Sequence, residues 1–424
     1  MLNRTQAPQY QSLNTISIPA IDTRFLDNKT PLYIINVGEQ PVIKLEFSYK
    51  AGAWQDPIRG VSSFTAKMLG EGTSNHTSTQ ISEFFDQFGA FVEYNHGLDR
   101  ASLSVFCLSK HLSSILPMLK ELLQDATFPE HELEKFKNIS LQTLKVNLEK
   151  TAFVANQFFR ATLFGTDHPY GQSMDETTLN TIQRSDIQQF YKNFWKGKQS
   201  TIFLSGKVSE IEIDLVNDYF GEKTLKKTTE KPPIEIAQAQ SERIVIEKPD
   251  AMQSTIRMGK KLFGRKHPDY FNFLVLNETL GGYFGSRLMK NIREEKGLTY
   301  GISSNLSVFT REAYLVIGTD VKKENTQQTI DEIKKEIITL QTELVAESEL
   351  ETVKNYMVGS FVGSLNTPFD ITDRYKVIIN DSLSADFYQN YIQNIRKVTA
   401  QDVIETAQQY LAVDSISEVI VGGL

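Results

Sequence analysis

Apolar residues along the chain fall into two periods. Short runs rich in Ile, Val, Leu and aromatics at Leu32 to Val37, Val42 to Tyr49, Phe91 to Tyr94, Ala101 to Leu108 and Thr201 to Ser205 predict strands. Helical spacing covers about Gly60 to Leu69, Thr79 to Phe88, Pro129 to Phe164 and Asp186 to Trp195. Leu112, Ile115, Leu116, Leu119, Leu122 and Leu123 make a helical stripe, on which Pro117 predicts a late start or a kink.

The pattern then recurs. Glu130-His-Glu-Leu-Glu-Lys-Phe-Lys-Asn138 returns as Glu347-Ser-Glu-Leu-Glu-Thr-Val-Lys-Asn355. Asp186-Ile and the strand ending at Gly206 return, at the same spacing to within one residue, as Asp402-Val and the strand ending at Gly422. A second amphipathic stripe, Ile330, Ile333, Ile337 and Leu340, precedes the second copy as the Leu112 stripe precedes the first. Two recurrences in one register predict a tandem duplication of an α+β unit, each copy a mostly antiparallel sheet packed against helices. Between the copies, Lys223, Lys226, Lys227, Lys231, Pro232 and Pro233 with three threonines read as an exposed linker. The expected domains are 1–222 and 242–424, joined by 223–241.

The densest stretch is Thr279-Leu-Gly-Gly-Tyr-Phe-Gly-Ser-Arg-Leu-Met-Lys-Asn-Ile-Arg-Glu-Glu-Lys-Gly-Leu-Thr-Tyr-Gly301. Gly281, Gly282 and Gly285 permit backbone geometry or close approach that a Cβ would forbid. An amphipathic helix follows, with Leu288, Met289 and Ile292 facing a core, and Gly297 stops it. Leu298, Tyr300, Ile302 and Ser304 then alternate with Thr299, Gly301 and Ser303 as a strand does. Arg293 is thereby placed at a helix end and Tyr300 on the next strand, close enough to share one ligand. Glycines before a helix also suggest phosphate binding, but no Gly-Lys-Ser/Thr and no acidic ribose ligand accompany them.

Composition narrows the function classes. With 40% hydrophobic and 23% charged residues the chain is ordinary globular protein, and no apolar run approaches a membrane span. A net charge of −7 argues against nucleic acid or anionic membrane as partners. The single cysteine, Cys107, sits in an apolar strand and reads as a small buried hydrophobe. With no charged-then-apolar leader between Met1 and Ala20, a reduced cytoplasmic location is the expectation.

The Gly-rich stretch resembles the C-terminal signature of the insulinase and pitrilysin-type zinc peptidases, including the mitochondrial processing peptidases. In that family the Gly-rich turn, Ser-Arg-Leu and an Arg and Tyr at this spacing form a substrate-binding corner. The resemblance runs over nearly the whole chain, so the family's inverted zinc motif, His-x-x-Glu-His, has a defined place. There the sequence reads Gly60-Val-Ser-Ser-Phe-Thr-Ala-Lys-Met-Leu-Gly-Glu-Gly-Thr73. Gly60, Phe64, Met68, Gly72 and Thr73 keep the frame, while Ser63 and Lys67 replace the histidines and Ala66 the glutamate. The family's third ligand, a glutamate, falls on Thr143, and a further family glutamate falls on Phe136.

Zinc chemistry gives the same answer. A catalytic zinc needs three deprotonated N, S or O donors and an open water position. Ala66 has no donor, and Lys67 would bring like charge to the cation, about 4 kcal/mol unfavourable at roughly 4 Å and an effective dielectric near 20. The six histidines never stand three to five residues apart.

Other residues have plainer readings. His168-Pro-Tyr-Gly171 is a proline-anchored loop, His131 and Glu132 sit at a helix start, and Lys334 and Lys335 with Glu332 and Glu336 make a solvated helix face. Gly89 to Asn95 falls where active relatives hold substrate along a sheet edge, with Glu93 in place of the usual asparagine. For Arg293 and Tyr300 the alternatives are a surface ion pair to Glu294 or Glu295 and a core aromatic.

The resemblance thus implies a non-catalytic subunit of a two-chain zinc peptidase. It would hold no zinc itself, and would supply Arg293 and Tyr300, with Gly281, Gly282 and Gly285, to a peptide substrate in the chamber of a zinc-bearing homologous partner. Homodimer and heterodimer both stay open for the isolated chain. The alternative is a structural or assembly protein of the same fold with no peptidase role.

Overall fold

The computed structural model describes residues 13, 15–229, 231–232, 234 and 241–424. Most of the leader reading at Met1–Ala20 and the middle of the expected 223–241 linker lie outside the described residues.

The first half runs β1 (Asp22–Phe25), β2 (Pro31–Asn36), β3 (Val42–Tyr49), α1 (Val61–Lys67), α2 (Ser78–Gln87), β4 (Phe91–His96), β5 (Ala101–Leu108), α3 (Leu112–Asp125), α4 (Glu130–Glu149), α5 (Thr151–Phe164), α6 (Glu176–Thr181), α7 (Arg184–Phe194), β6 (Thr201–Gly206) and α8 (Glu210–Phe220). The second runs β7 (Arg243–Glu247), β8 (Gln253–Leu262), α9 (Tyr270–Asn277), β9 (Thr299–Val308), β10 (Ala313–Lys322), α10 (Thr326–Thr342), α11 (Glu347–Gly363), α12 (Pro368–Asp381), α13 (Tyr391–Lys397), α14 (Ala400–Tyr410) and β11 (Ser417–Gly422). Pro117 lies inside α3, which starts at Leu112, so the late start does not occur.

Two sheets result, ordered β1-β2-β6-β3-β5-β4 and β7-β11-β8-β10-β9. Apart from β1 the orders correspond strand for strand, and each sheet has one parallel pair, β2 with β6 and β7 with β11, among antiparallel ones. This is a two-domain α+β fold, and the recurring sequence blocks occupy matching elements, α4 with α11 and β6 with β11.

Each half covers the other's sheet. Ile43, Leu45 and Phe47 of β3 enter the first core, whereas Lys44 and Glu46 point to the opposite face and are also buried. That face meets α12 of the second half, whose Lys376 Nζ lies 2.7 Å from Glu46 Oε1. Reciprocally, α5 lies on the outer face of β8 and β11, where Thr255 donates to Thr151 (2.8 Å) and Arg257 Nε to Asn156 Oδ1 (2.8 Å). Val154, Ala155 and Phe159 of α5 join Val419 and Val421 of β11 in a core shared between the halves. A sheet covered on both faces can carry apolar residues on both, as β11 does with Ile420 on one side and Val419 and Val421 on the other, whereas the second face of β3 carries the buried polar Lys44, Glu46 and Ser48. Two hairpin tips also meet: Asp99, after β4, accepts from Arg311 (2.8 Å) and from the Thr310 backbone N–H (3.1 Å), after β9.

The described linker residues are not solvated throughout. Lys231 Nζ donates to the Asp56 carbonyl (2.6 Å), and Lys226 pairs with the backbone of Gly197 and Gln199.

Candidate functional site

The first corner is the start of α1. Gly60 has φ +94°, open to glycine at little cost, and the Asp56 carboxylate accepts the N–H groups of Gly60 (2.9 Å) and Ser62 (2.6 Å), which caps the helix. Burial pushes the Asp56 carboxyl up to about 6. Ser63 and Ala66 are buried, whereas Lys67 is exposed with its ammonium 5.7 Å from the centroid of Phe136, which packs edge-on against Phe64. Thr143 is exposed on α4. His96, at the end of β4, shares a 3.0 Å hydrogen bond with Ser62, and burial together with the Lys67 charge pushes it down to about 4.

These residues do not fit a catalytic zinc. An ammonium and an aromatic ring meet at the positions of the second histidine and of the further glutamate. Among the described residues, no three His, Cys, Asp or Glu side chains stand where they could share a metal ion. Cys107 is buried, its thiol pushed up to about 12, as the strand reading expects.

The second corner is built by the Gly-rich stretch, and its local structure differs from the expected α-helix. Glu278–Gly282 and Met289–Glu295 are π-helical. Leu288, Met289 and Ile292 are buried as expected, and Gly297, at φ +63°, ends the segment. Gly281 serves close approach: a Cβ there would stand 2.7 Å from Ser304 Cβ and 2.8 Å from Ser304 N, so the π-helical turn lies directly on β9. The buried Asn277 and Ser304 side chains tie the same surfaces, with Ser304 Oγ donating to Asn277 Oδ1 (2.6 Å). Gly282 faces the Glu278 carboxylate and Gly285 the Tyr283 ring. Burial pushes the Glu278 carboxyl up to about 7.

A second clamp comes from α10. Asn291 donates to both Glu332 (3.0 Å) and Glu336 (2.6 Å), and Lys334 pairs with the buried Glu418 at 2.5 Å. The solvated-face reading is therefore corrected for Glu332, Lys334 and Glu336, which grip the π-helical segment and the sheet, while Lys335 is exposed as expected.

Tyr300 departs from its expected alternation. Ile302 pairs with Thr319 and Thr299 with Val321, so Tyr300 and Gly301 together oppose Asp320 alone. This β-bulge turns Tyr300 out while Ile302 and Ser304 point in, and Tyr300 is 91% exposed instead of a core aromatic. The bulge is held by Thr299 Oγ1 donating to the Asp320 carbonyl (2.7 Å) and Thr319 Oγ1 to the Gly301 carbonyl (2.9 Å). The Arg293 guanidinium carbon lies 5.3 Å from the Tyr300 ring centroid and 4.7 Å from that of Phe284, itself 62% exposed. Among the described residues Arg293 has neither an ion pair nor a hydrogen bond from its side chain, so the pairing with Glu294 or Glu295 is absent. Its donors are left free for a ligand oxygen while two rings hold its plane. Phe284 was not singled out in sequence; the available signal was a large aromatic between Gly282 and Gly285, at a turn with no obvious core to enter.

β4 and β9 each end a sheet. Beside β4 lies an open cavity of about 500 Å³, walled in part by Lys67, Glu71, Phe91 and Tyr94.

A two-domain α+β fold with a zinc frame that lacks its histidines and glutamate and an exposed Arg–aromatic corner defines a peptidase-like protein. Residues 41–174 match the family model described as insulinase (peptidase family M16), and residues 181–357 match that described as peptidase M16 inactive domain. The chain belongs to the insulinase (M16) family. It is 27% identical over 315 residues, 73% of this chain and 75% of the relative, to the uncharacterized zinc protease YmxG of Bacillus subtilis. It is 21% identical over 370 residues, 85% of this chain and 84% of the relative, to the non-peptidase homolog YmxG of Helicobacter pylori. Among solved structures, the peptidase M16 inactive domain from Pseudomonas fluorescens superposes with a TM-score of 0.88 at 22% identity, covering 95% of this chain and 98% of that one. The periplasmic protease PqqL from Escherichia coli superposes at 0.77 and 14% identity, with all of this chain matching 49% of that chain. No described helix is long and apolar enough to cross a membrane.

Proposed function

We propose that this chain is the non-catalytic subunit of a two-chain zinc peptidase and presents Arg293 and Tyr300 to a peptide held by a zinc-bearing homologue. The observation that carries this reading is the free guanidinium of Arg293, fixed between two exposed rings on a strand whose bulge turns Tyr300 outward. A residue kept only for packing needs no such arrangement. The superposition of this whole chain on about half of PqqL supports a partner of like fold.

In the assembly, the partner's zinc would polarise the scissile carbonyl and activate water. The peptide adds to an open sheet edge through backbone hydrogen bonds. Arg293 and Tyr300 donate hydrogen bonds to a substrate carbonyl or to the oxyanion that develops from it. Gly281 keeps the π-helical turn seated on β9 and so sets the height of Arg293 beside Tyr300.

Co-expression with a homologue that retains His-x-x-Glu-His tests the reading. A stable complex, with peptide hydrolysis well above that of either chain, is expected, since specific interfaces bury roughly 1,200–2,000 Å² and survive moderate salt. Separate species with no gain in hydrolysis would refute it.

A further inference from the structure

Away from the Arg293 corner, a cleft opens between the start of α1, the α4–α5 hairpin and the loop after α5. Two cavities of about 290 and 250 Å³ share Arg59, Leu144, Gln157, Gln172, Ser173 and Met174 as walls, and so adjoin. The cleft's inner end reaches Ser63, and its outer end is mainly apolar, with Leu148, Phe158 and Met174 partly exposed at the rim beside Asp175 and Glu176.

Two polar groups in it lack partners among the described residues. Arg160 lines the inner cavity and, among the described residues, its guanidinium makes neither a hydrogen bond nor an ion pair. Burial lowers its affinity for the proton, against a smaller opposing influence of Tyr314. Ser173 lines both cavities, and its Oγ is buried with no hydrogen-bond partner among the described residues. An unpaired cation withdrawn from water is costly, and so is an orphaned hydroxyl; both costs fall if an anion enters. The neighbouring charges do not supply one: Asp175 and Glu176 line the outer cavity, where Asp175 accepts the Thr178 N–H (2.7 Å) and Glu176 lies 3.9 Å from Lys145. Asp56 is committed to the N–H groups of Gly60 and Ser62, and Arg59 is committed to the Thr166 carbonyl (2.7 Å) and Gln172 (3.1 Å).

We propose that this cleft binds an apolar chain ending in a carboxylate, the carboxylate reaching Arg160 and Ser173 at the inner end and the apolar portion lying along Leu144, Phe158 and Met174. The combined size suits a small amphiphile or the last residues of a peptide. A guanidinium suits a carboxylate because its planar fork can donate two parallel hydrogen bonds. The inference is independent of the partner-subunit reading, since no residue of the Arg293 corner takes part.

Isothermal titration of the full chain distinguishes the two sources of such a group. One arm uses dodecanoate against dodecanol, and the other a short peptide ending in phenylalanine as free acid against its amide. At least one acid should bind roughly tenfold or more tighter than its uncharged counterpart, as one charge-assisted hydrogen-bonded contact implies. Arg160→Gln should remove that advantage, and Arg160→Lys should keep part of it. Met174→Trp, at the exposed rim, should weaken the same acid by narrowing the mouth, and decides the matter should Arg160→Gln fail to fold. Acid and neutral forms binding alike, no binding of either acid, or unchanged affinity in Arg160→Gln or Met174→Trp would overturn the proposal.

Discussion

Lys376 Nζ lies 2.7 Å from Glu46 Oε1, and the two residues belong to different halves of the molecule. Glu46 is 1% exposed in the middle of β3, where Lys44 also approaches it at 3.2 Å. Lys376→Met therefore leaves a buried carboxylate with one cation instead of two. Loss of a buried partner costs up to about 3–5 kcal/mol, and the remaining Lys44 should bring this nearer 1–3 kcal/mol. Denaturant midpoints check it, and Glu46→Gln with Lys376→Met should cost less than the two single changes added together.

Lys376 also sets a pH dependence. Burial lowers its proton affinity, but Glu46 and Asp373 raise it further, so the net shift is upward. A folded-state value raised above the unfolded one, about 10.4, stabilises fully below that value and is lost as pH rises through the folded one. The stability difference between wild type and Lys376→Met should be constant near neutrality and shrink at strongly alkaline pH.

Gly281→Ala should destabilise more than Gly285→Ala. At Gly281 the new methyl would meet the Ser304 backbone of β9 at 2.8 Å, and at Gly285 it would meet the ring of Tyr283, which can swing away. Overpacking of this kind costs about 1–3 kcal/mol. Equal denaturant midpoints for the two variants would mean that the π-helical turn is not seated on β9 as described.

How much of this was legible in sequence depends on the range of the interaction. The recurring blocks at Glu130 and Glu347 and the runs at Val42 and Ala101 report local pattern, and the two-domain α+β fold follows from them. The π-helical form of Met289–Glu295 does not, because Leu288, Met289 and Ile292 satisfy an α or a π face equally over so short a segment. Tyr300 keeps strand parity with Ile302 in sequence, and only the cross-strand count against Asp320 reveals the bulge. Lys44 and Glu46 look like a solvent face of β3, since α12, which buries them, lies over three hundred residues away.

His96 should make the fold sensitive to mild acid. Its folded value near 4, against an unfolded value of about 6.5, means that the unfolded chain binds the extra proton first, so stability falls as pH drops from about 6.5 to 4, by roughly 3 kcal/mol. Asp56 acts in the opposite sense over part of that range, because its folded value near 6 lies above the usual carboxylate value. His96→Asn isolates the histidine contribution: the variant should lose less stability than wild type between pH 6.5 and 4. Parallel curves would contradict the burial assigned to the imidazole.

The purified chain should carry no stoichiometric zinc and cleave no peptide by itself. Ser63, Ala66, Lys67 and Thr143 present neither the donors nor the charge a catalytic zinc requires. Metal analysis by mass spectrometry with a mixed-peptide digest checks this, and one tightly held zinc with chelator-sensitive cleavage would contradict it.

The most direct test replaces the corner inside the assembled complex with a zinc-bearing homologue. Arg293→Ala and Tyr300→Phe should each lower peptide turnover, with zinc content and assembly unchanged. Loss of one positioned donor to a developing oxyanion costs about 10²–10³ in rate, whereas an exposed side chain with a structural role alone is worth roughly 0–1 kcal/mol. Arg293→Lys should stay impaired, because it keeps the charge and loses the planar fork. Full turnover by all three variants would mean that Arg293 and Tyr300 take no part in hydrolysis, and that the chain serves its partner only as a scaffold.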